Sequence, residues 1–144
     1  MSAEENVQIM RRWFQEVWNE GRIETIHELF SPEGVARGQE SPESELHGPE
    51  EFEGFVRKIR GAFPDMQLAV EDVFATGDKG VLRWSGVMKH TGEVVGRPGS
   101  GRTVRLRGIT VVRFAGGKVV ESWDNWDQLG MLQQIGALDP AVAA

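Results

Sequence analysis

The stretch GKVVESWDNWDQLGMLQQIG, residues 117–136, is the part of the sequence from which the fold is inferred. The turn Gly116–Gly117 opens it. Valine and tryptophan residues that suit a pleated surface predict a strand from Lys118 to Trp126. Three aliphatic residues at three-residue spacing then predict a short helix, and Gly136 is a typical helix stop. A strand that runs directly into a short helix is therefore expected at the end of the fold.

Two carboxylates lie in this stretch, and we assign them different roles. Strand alternation places Asp124 on one face with Val120, Ser122 and Trp126. A buried carboxylate is costly unless it is paired or used in chemistry. Asp124 is therefore either a candidate acid/base or a strand-end acid held by a hydrogen bond or an ion pair. Asp127 precedes the predicted helix, where an aspartate commonly serves as the N-cap.

Composition limits the class of protein. A chain of 144 residues suits one domain, and 40% hydrophobic with 26% charged residues is an ordinary balance for a globular protein. The net charge of −6 argues against a protein that binds nucleic acid through phosphates. Cysteine is absent and the three histidines are far apart, so we expect no metal site. No apolar run is long enough to span a membrane and no signal peptide is evident, so we expect a cytoplasmic protein without membrane contact.

Helical patterns occupy the first half of the chain. Ser2 and Glu5 form a capping-box pattern, and apolar residues at helical spacing continue to about Asn19. A second short helix begins near Ile23 and is expected to stop at Ser31–Pro32. Residues 33–46 are predicted to be a loop with a short strand at 34–37. A third helix starts at 47–49, with proline in its first turn, and ends before Pro64.

The hydrophobic period then changes to two, which predicts strands. We expect four antiparallel strands, at residues 66–75, 81–89, 103–114 and 118–126, with a glycine-rich loop at 91–101. The order of elements predicts an α+β domain, residues 1–138, with three helices on one face of a strongly bent sheet. Residues 139–144 are predicted to be a disordered tail.

Three motifs carry a family resemblance. They are His47-Gly48-Pro49-Glu50-Glu51-Phe52, then His90-Thr91-Gly92-Glu93 with Gly96 and Gly101-Arg102, and finally Gly117-Lys118 through Trp123-Asp124, Asp127 and Gly130 to Gln134-Ile135-Gly136. In this order and spacing the chain resembles the SnoaL-like polyketide cyclases and their "ester cyclase" relatives. The resemblance implies the cone of the nuclear-transport-factor-2-like, or ketosteroid-isomerase-like, fold, enclosing a pocket.

The resemblance also implies a chemistry. In the anthracycline-type cyclases of the family, a cavity aspartate on the last strand is the general acid/base, and the spacing from Gln134-Ile135-Gly136 places that role on Asp124. Aldol closure needs a proton removed from a carbon between carbonyls and a proton returned to the new hydroxyl. One carboxyl can do both when burial raises its pKa, so we expect no cofactor. The chain departs from those cyclases at Phe55 and Thr110, where they tend to carry asparagine and histidine.

Further residues are candidates for the site. His90 ends a strand within the second motif and is a candidate proton-transfer residue, although its ring could instead bond the following loop. Aromatic and small polar residues at inward positions predict an apolar pocket for a small, planar, uncharged or weakly acidic ligand. The predicted substrate-binding residues are Trp13, Phe14, Phe55, Trp84, Thr110, Ser122 and Trp126.

Two other functions remain open from the sequence. An epoxide-hydrolase-like enzyme would use Asp124 and Asp72 as its acids, with Arg83 or Arg107 orienting them. A non-catalytic module would only bind a small molecule or dimerise, because fold alone does not set function. Both faces of the predicted sheet are partly apolar, so we expect a homodimer.

Overall fold

The computed structural model describes residues 2–138. Its first helix begins with the predicted capping box. The Glu5 backbone N–H donates to Ser2 Oγ at 3.1 Å, which satisfies one of the free N–H groups at the helix start. The helices are α1 (Ala3–Arg12), which continues as a π-helical segment (Trp13–Asn19), α2 (Ile23–Leu29), α3 (Gly48–Ala62) and α4 (Gln128–Gln134). The disordered tail expected at 139–144 lies outside the described residues.

A single curled sheet of six strands forms the other layer, in the order β2-β1-β6-β5-β4-β3. The strands are β1 (Phe30–Arg37), β2 (Glu45–His47), β3 (Gln67–Thr76), β4 (Lys79–Lys89), β5 (Thr103–Ala115) and β6 (Lys118–Trp126). The four strands from β3 to β6 follow the expected hairpin order and pair antiparallel. The α+β cone predicted from the sequence is confirmed.

The first half of the sheet differs from the prediction of four antiparallel strands. Strand β1 starts directly after α2, so Ser31 and Pro32, where the second helix was expected to stop, lie within a strand. The short strand predicted at 34–37 forms the end of this longer strand. It pairs with β6 in parallel, and its register is irregular between Phe30 and Val35. Proline is tolerated at such an irregular point because no ladder hydrogen bond is needed from its nitrogen. Pairing over this sequence distance is a tertiary effect that local periodicity does not report.

Alternation along β4 and β5 separates the two faces of the sheet. Leu82, Trp84, Gly86 and Met88 on β4 are buried, while the residues that alternate with them are exposed or half-buried. The buried face packs against α1, its π-helical continuation and α3, and the largest fully buried side chains include Phe30 and Phe63. Burial of these apolar side chains is the main stabilising contribution, at about 25 cal/mol per Å² of apolar surface removed from water.

Candidate functional site

A cavity lies between the helices and the concave face of the sheet. The empty space in this region is about 900 Å³, a value that counts the gaps between side chains and the open solvent at the mouth. All seven predicted substrate-binding residues line this cavity, together with Asp124. Residues from α1, the π-helical segment, α3 and every strand from β3 to β6 contribute to the wall. The curled sheet therefore brings residues from most of the chain to one internal surface.

Aromatic rings form most of the wall. Trp18 and Phe55 pack edge to face with centroids 5.9 Å apart, and Trp13 and Phe52 do so at 5.0 Å. These are favourable arrangements for aromatic pairs. The polar side chains of the wall are Gln39, Thr110, Ser122 and Asp124, which we call the polar patch. The rest of the wall is mostly apolar, so the cavity suits a ligand with a large apolar portion.

Gly108 leaves a gap between two of the indoles. It pairs with Trp84 on β4 and with Trp126 on β6. A Cβ atom at this position would lie 2.7 Å from the Trp84 ring and 2.9 Å from Trp126 Cβ. The absence of a side chain here lets the Trp84 ring lie over the strand, and this contact shapes that part of the wall.

Asp124 is the acidic residue of the polar patch. It lies opposite Thr110 in the β5–β6 register, and Thr110 Oγ1 donates to Asp124 Oδ1 at 2.6 Å. Gln39 Nε2 donates to the other oxygen, Oδ2. Burial raises the pKa of Asp124 to about 6, although both hydrogen bonds act to lower it. A carboxyl with this pKa can both accept and return a proton near neutral pH.

Gln39 was missed by sequence reasoning. It follows β1 in a stretch predicted to be a loop, and no periodic pattern or motif marks it. Gln39 is only 5% exposed, and its backbone carbonyl accepts a hydrogen bond from Trp126 Nε1 at 2.8 Å. A buried polar residue can be found only once the strand pairing that places it is known.

The residues that β6 contributes to the cavity differ in part from the prediction. Val119, and not Val120, lies on the cavity wall with Ser122 and Asp124. The prediction that Val120 shares their face is wrong because the register of β6 shifts at this point: Phe114 pairs with Val119 while Arg113 pairs with Glu121. The irregularity inserts one residue and reverses alternation on its far side. Asp127 is the N-cap of α4, as predicted, and accepts from the Gly130 N–H at 2.9 Å.

His90 is not brought to Asp124. It is fully buried but is not part of the cavity wall. Its Nδ1 accepts a hydrogen bond from the Ser100 backbone N–H at 3.2 Å and lies 2.9 Å from Ser100 Oγ, and its ring packs 5.7 Å from that of Phe63. This is the alternative in which the ring bonds the following loop. We therefore leave His90 out of the proposed chemistry.

The residues needed for the epoxide-hydrolase alternative do not converge. Asp72, Arg83 and Arg107 are all exposed and none lines the cavity. Asp72 pairs with Arg83 across β3 and β4 on the outer face of the sheet. Strand alternation explains the separation, since these positions point away from the concave face. The expectation that they could act with Asp124 is corrected.

Among residues 2–138, no group of three or more His, Cys, Asp or Glu side chains could hold a metal ion. In the same range no helix is both long and apolar enough to cross a membrane.

Comparison with known proteins identifies the family. The model of the SnoaL-like polyketide cyclases matches residues 8–135. Aklanonic acid methyl ester cyclase DnrD of Streptomyces peucetius is 28% identical over 131 residues, which cover 90% of each chain. A crystal structure from Jannaschia sp. CCS1, provisionally described as a SnoaL-like polyketide cyclase, superposes with a TM-score of 0.86 at 25% identity over 95% of each chain.

A third relative carries a different description. AclR of Streptomyces galilaeus, provisionally described as a hydroxylase, superposes with a TM-score of 0.83 at 28% identity over 96% of this chain and 100% of its own. Similar identity to proteins with different descriptions means that the particular reaction must be argued from the site. The match of the family model over nearly the whole chain establishes membership: the protein belongs to the SnoaL-like polyketide cyclase family.

Proposed function

We propose that this protein catalyses an intramolecular aldol-type cyclisation, or a related isomerisation, of a polyketide-like substrate without a cofactor. The observation that carries the proposal is a carboxyl, Asp124, in a largely apolar cavity with its pKa raised to about 6. No other titratable side chain is among the described residues that line the cavity. A single acid in this setting suits proton transfer at carbon, because desolvation makes its charged form a stronger base.

In the proposed reaction, the Asp124 carboxylate removes a proton from a carbon that lies between two carbonyl groups. The resulting enolate carbon attacks a second carbonyl carbon of the same molecule, and a carbon–carbon bond forms. The carbonyl oxygen takes the proton back from Asp124 and becomes a hydroxyl, so the carboxylate is regenerated. Thr110, whose hydroxyl bonds Asp124 Oδ1, helps to hold the carboxyl during both transfers.

The cavity wall supports an uncharged, planar and largely apolar substrate. No lysine or arginine is among the described residues that line it, so a carboxylate placed inside would lose its hydration without a counterion. The α3 side of the wall is apolar at Phe52, Phe55 and Ile59. Phe55 cannot donate a hydrogen bond to an oxygen, so we expect a substrate with few oxygen atoms on its α3 side.

The decisive variant is Asp124→Asn, tested with aromatic polyketide esters as substrates. It retains the size of the side chain and removes its basic carboxylate. Loss of a general base lowers the rate by about 10²- to 10⁴-fold, so we expect kcat/KM to fall by that range. Product formation is followed by chromatography and mass spectrometry, since cyclisation changes retention but not mass.

Asp127→Asn is the matched control. Asp127 lies three residues further on, is exposed and caps α4, and asparagine is an equally good N-cap. This variant should turn over substrate at the wild-type rate. Near-normal turnover by Asp124→Asn would reject the proposed chemistry. Binding of the esters without turnover by the wild-type protein would instead favour the non-catalytic binding module.

A further inference from the structure

The Gly38–Gln39 corner, which follows β1, is built against Asp124. Gly38 has φ of +81°, and a Cβ atom there would lie 2.3 Å from the Asp124 carbonyl oxygen. Only glycine fits such a close approach at this φ without displacing the strand. The backbone of the corner is therefore fixed in direct contact with the residue whose side chain Gln39 bonds.

Two side chains from the far end of β6 and the start of α4 hold the corner in place. Trp126 Nε1 donates to the Gln39 carbonyl oxygen at 2.8 Å. Gln128 Nε2 lies 3.3 Å from the same oxygen and 3.4 Å from the Gly38 carbonyl oxygen. The carbonyl groups of a chain that leaves a strand need such donors when they are buried. Here the donors come from residues two and four positions after Asp124.

The Gln39 side chain completes the arrangement. Its amide Nε2 donates to Asp124 Oδ2, while Thr110 holds Oδ1. Each carboxyl oxygen thus has one protein donor from a different strand or loop, which fixes the plane of the carboxyl. Glutamine has more rotamer freedom than threonine, and burial of Gln39 within the corner removes that freedom before a substrate binds.

We propose that Gln39 is a positioning residue, whose side-chain amide fixes the orientation of the Asp124 carboxyl towards a substrate in the cavity. The proposal rests on the proposed function only in taking Asp124 as the reacting group. Gln39 acts through Asp124 and needs no contact with the reacting carbon. Loss of its amide frees Oδ2, so the carboxyl can rotate about χ2 and its charged form loses one donor.

The test is the titration of Asp124, measured by carbon NMR on protein labelled at aspartate carboxyl carbons, with Asp124→Asn to assign the signal. In Gln39→Met, which keeps the length of the side chain and loses the amide, the midpoint should rise by roughly one to two pH units, because a hydrogen bond to a charged group is lost. Other charged groups contribute little to this shift. Glu40, which follows Gln39 in the sequence, is exposed and its carboxylate accepts a hydrogen bond from Lys58 Nζ at 3.1 Å.

Gln67→Met is the matched control, because Gln67 is exposed on β3 and is not part of the cavity wall. It should leave the Asp124 midpoint unchanged. Gln128→Ala provides a second variant, which loosens the corner while keeping the Gln39 amide. We expect a smaller shift in the same direction. An unmoved midpoint in folded Gln39→Met, or in Gln128→Ala if Gln39→Met does not fold, overturns the proposal.

The titration needs no substrate, so it separates the two proposals. A raised midpoint in Gln39→Met, together with no cyclisation by the wild-type protein, would keep the positioning role and reject the proposed function. Turnover that depends on Asp124, together with an unchanged Asp124 midpoint in Gln39→Met, would keep the proposed function and reject the positioning role. If both proposals hold, Gln39→Met lowers kcat more than it raises KM, and the acidic limb of its rate profile moves to higher pH.

Discussion

At the scale of single residues, burial makes the charged form of Asp124 costly to the fold. The pKa of Asp124 is raised from 3.8 to about 6. The folded protein therefore holds this proton at pH values where the unfolded chain has lost it, and stability falls as pH rises between the two values. Well below pH 3.8 the carboxyl is neutral in both states and the cost is absent. Above pH 6 the full cost is present.

This linkage predicts a pH-dependent effect of Asp124→Asn on stability. The free energy of unfolding of the variant, relative to wild type, should increase between pH 4 and pH 7.5. A shift of about two pKa units corresponds to about 3 kcal/mol as an upper value. Urea denaturation at both pH values measures the difference, with Asp127→Asn alongside. Equal differences at pH 4 and pH 7.5 would show that burial does not perturb the carboxyl.

The residues that line the cavity wall can be predicted from the sequence more readily than the polar contacts of Asp124. Trp84 and Thr110 lie on regular strands, so alternation alone predicts which way they face. The prediction for Val120 is wrong because one irregular residue in β6 reverses that alternation. Gln39 was not found because its position depends on a close approach between Gly38 and Asp124, which no local pattern encodes. The partners of a buried acid are set by tertiary contacts.

At the scale of elements, we predict that replacing glycine by alanine has opposite effects on stability at two positions. Gly54 is exposed within α3, and a Cβ atom there would meet nothing within 4 Å. Gly54→Ala should stabilise the protein by about 0.5–1 kcal/mol, because alanine loses less conformational freedom in a helix. Gly108→Ala should destabilise it by about 1–3 kcal/mol, because the added methyl group collides with the Trp84 ring.

Thermal and urea unfolding of the two variants checks this pair. Each serves as the control for the other, since the chemical change is identical and only the surroundings differ. Equal effects of the two substitutions would mean that the Trp84 ring moves freely and that Gly108 does not shape the wall. A ligand that contacts Trp84 should also bind less tightly to Gly108→Ala.

The elements themselves were predicted unevenly. The strands β3 to β6 were found because each has at least nine residues and a clear period of two. Strand β2 has only three residues, and β1 contains proline and glycine, which are depleted in strands. Strand β2 pairs with β1, and β1 pairs with β6, which lies far along the chain. Local sequence therefore describes the four strands from β3 to β6 and not the parallel pair of β1 and β6.

At the scale of the whole molecule, we predict a homodimer that forms through the outer face of the sheet. Apolar residues meet across this face: Phe74 pairs with Val81, Val81 with Val111, and Val111 with Trp123. Phe74 is 54% exposed and Ile109 is 48% exposed. Contiguous apolar surface of this kind commonly marks an interface, and a two-fold dimer is the commonest assembly.

Sedimentation velocity at micromolar concentration measures the assembly. The wild-type protein should sediment as a dimer. Phe74→Lys together with Ile109→Lys should give a folded monomer, because both positions would place a charge inside the contact. Glu24→Lys, at an exposed position on α2 in the helical layer, is the control for the added charge. A wild-type monomer under these conditions would contradict the prediction.

The parallel pair of β1 and β6 has a consequence for biosynthesis. Phe30 faces Val119, so one edge of β1 has no partner until the last strand has emerged from the ribosome. Chains that depend on such distant pairings fold slowly, and an unpaired strand edge promotes aggregation. Gln39 is made early but can meet Asp124 only after β6 has been synthesised. A nascent chain of this protein therefore leaves that β1 edge unpaired until β6 has been made, and a translational pause before β6 would prolong this exposure.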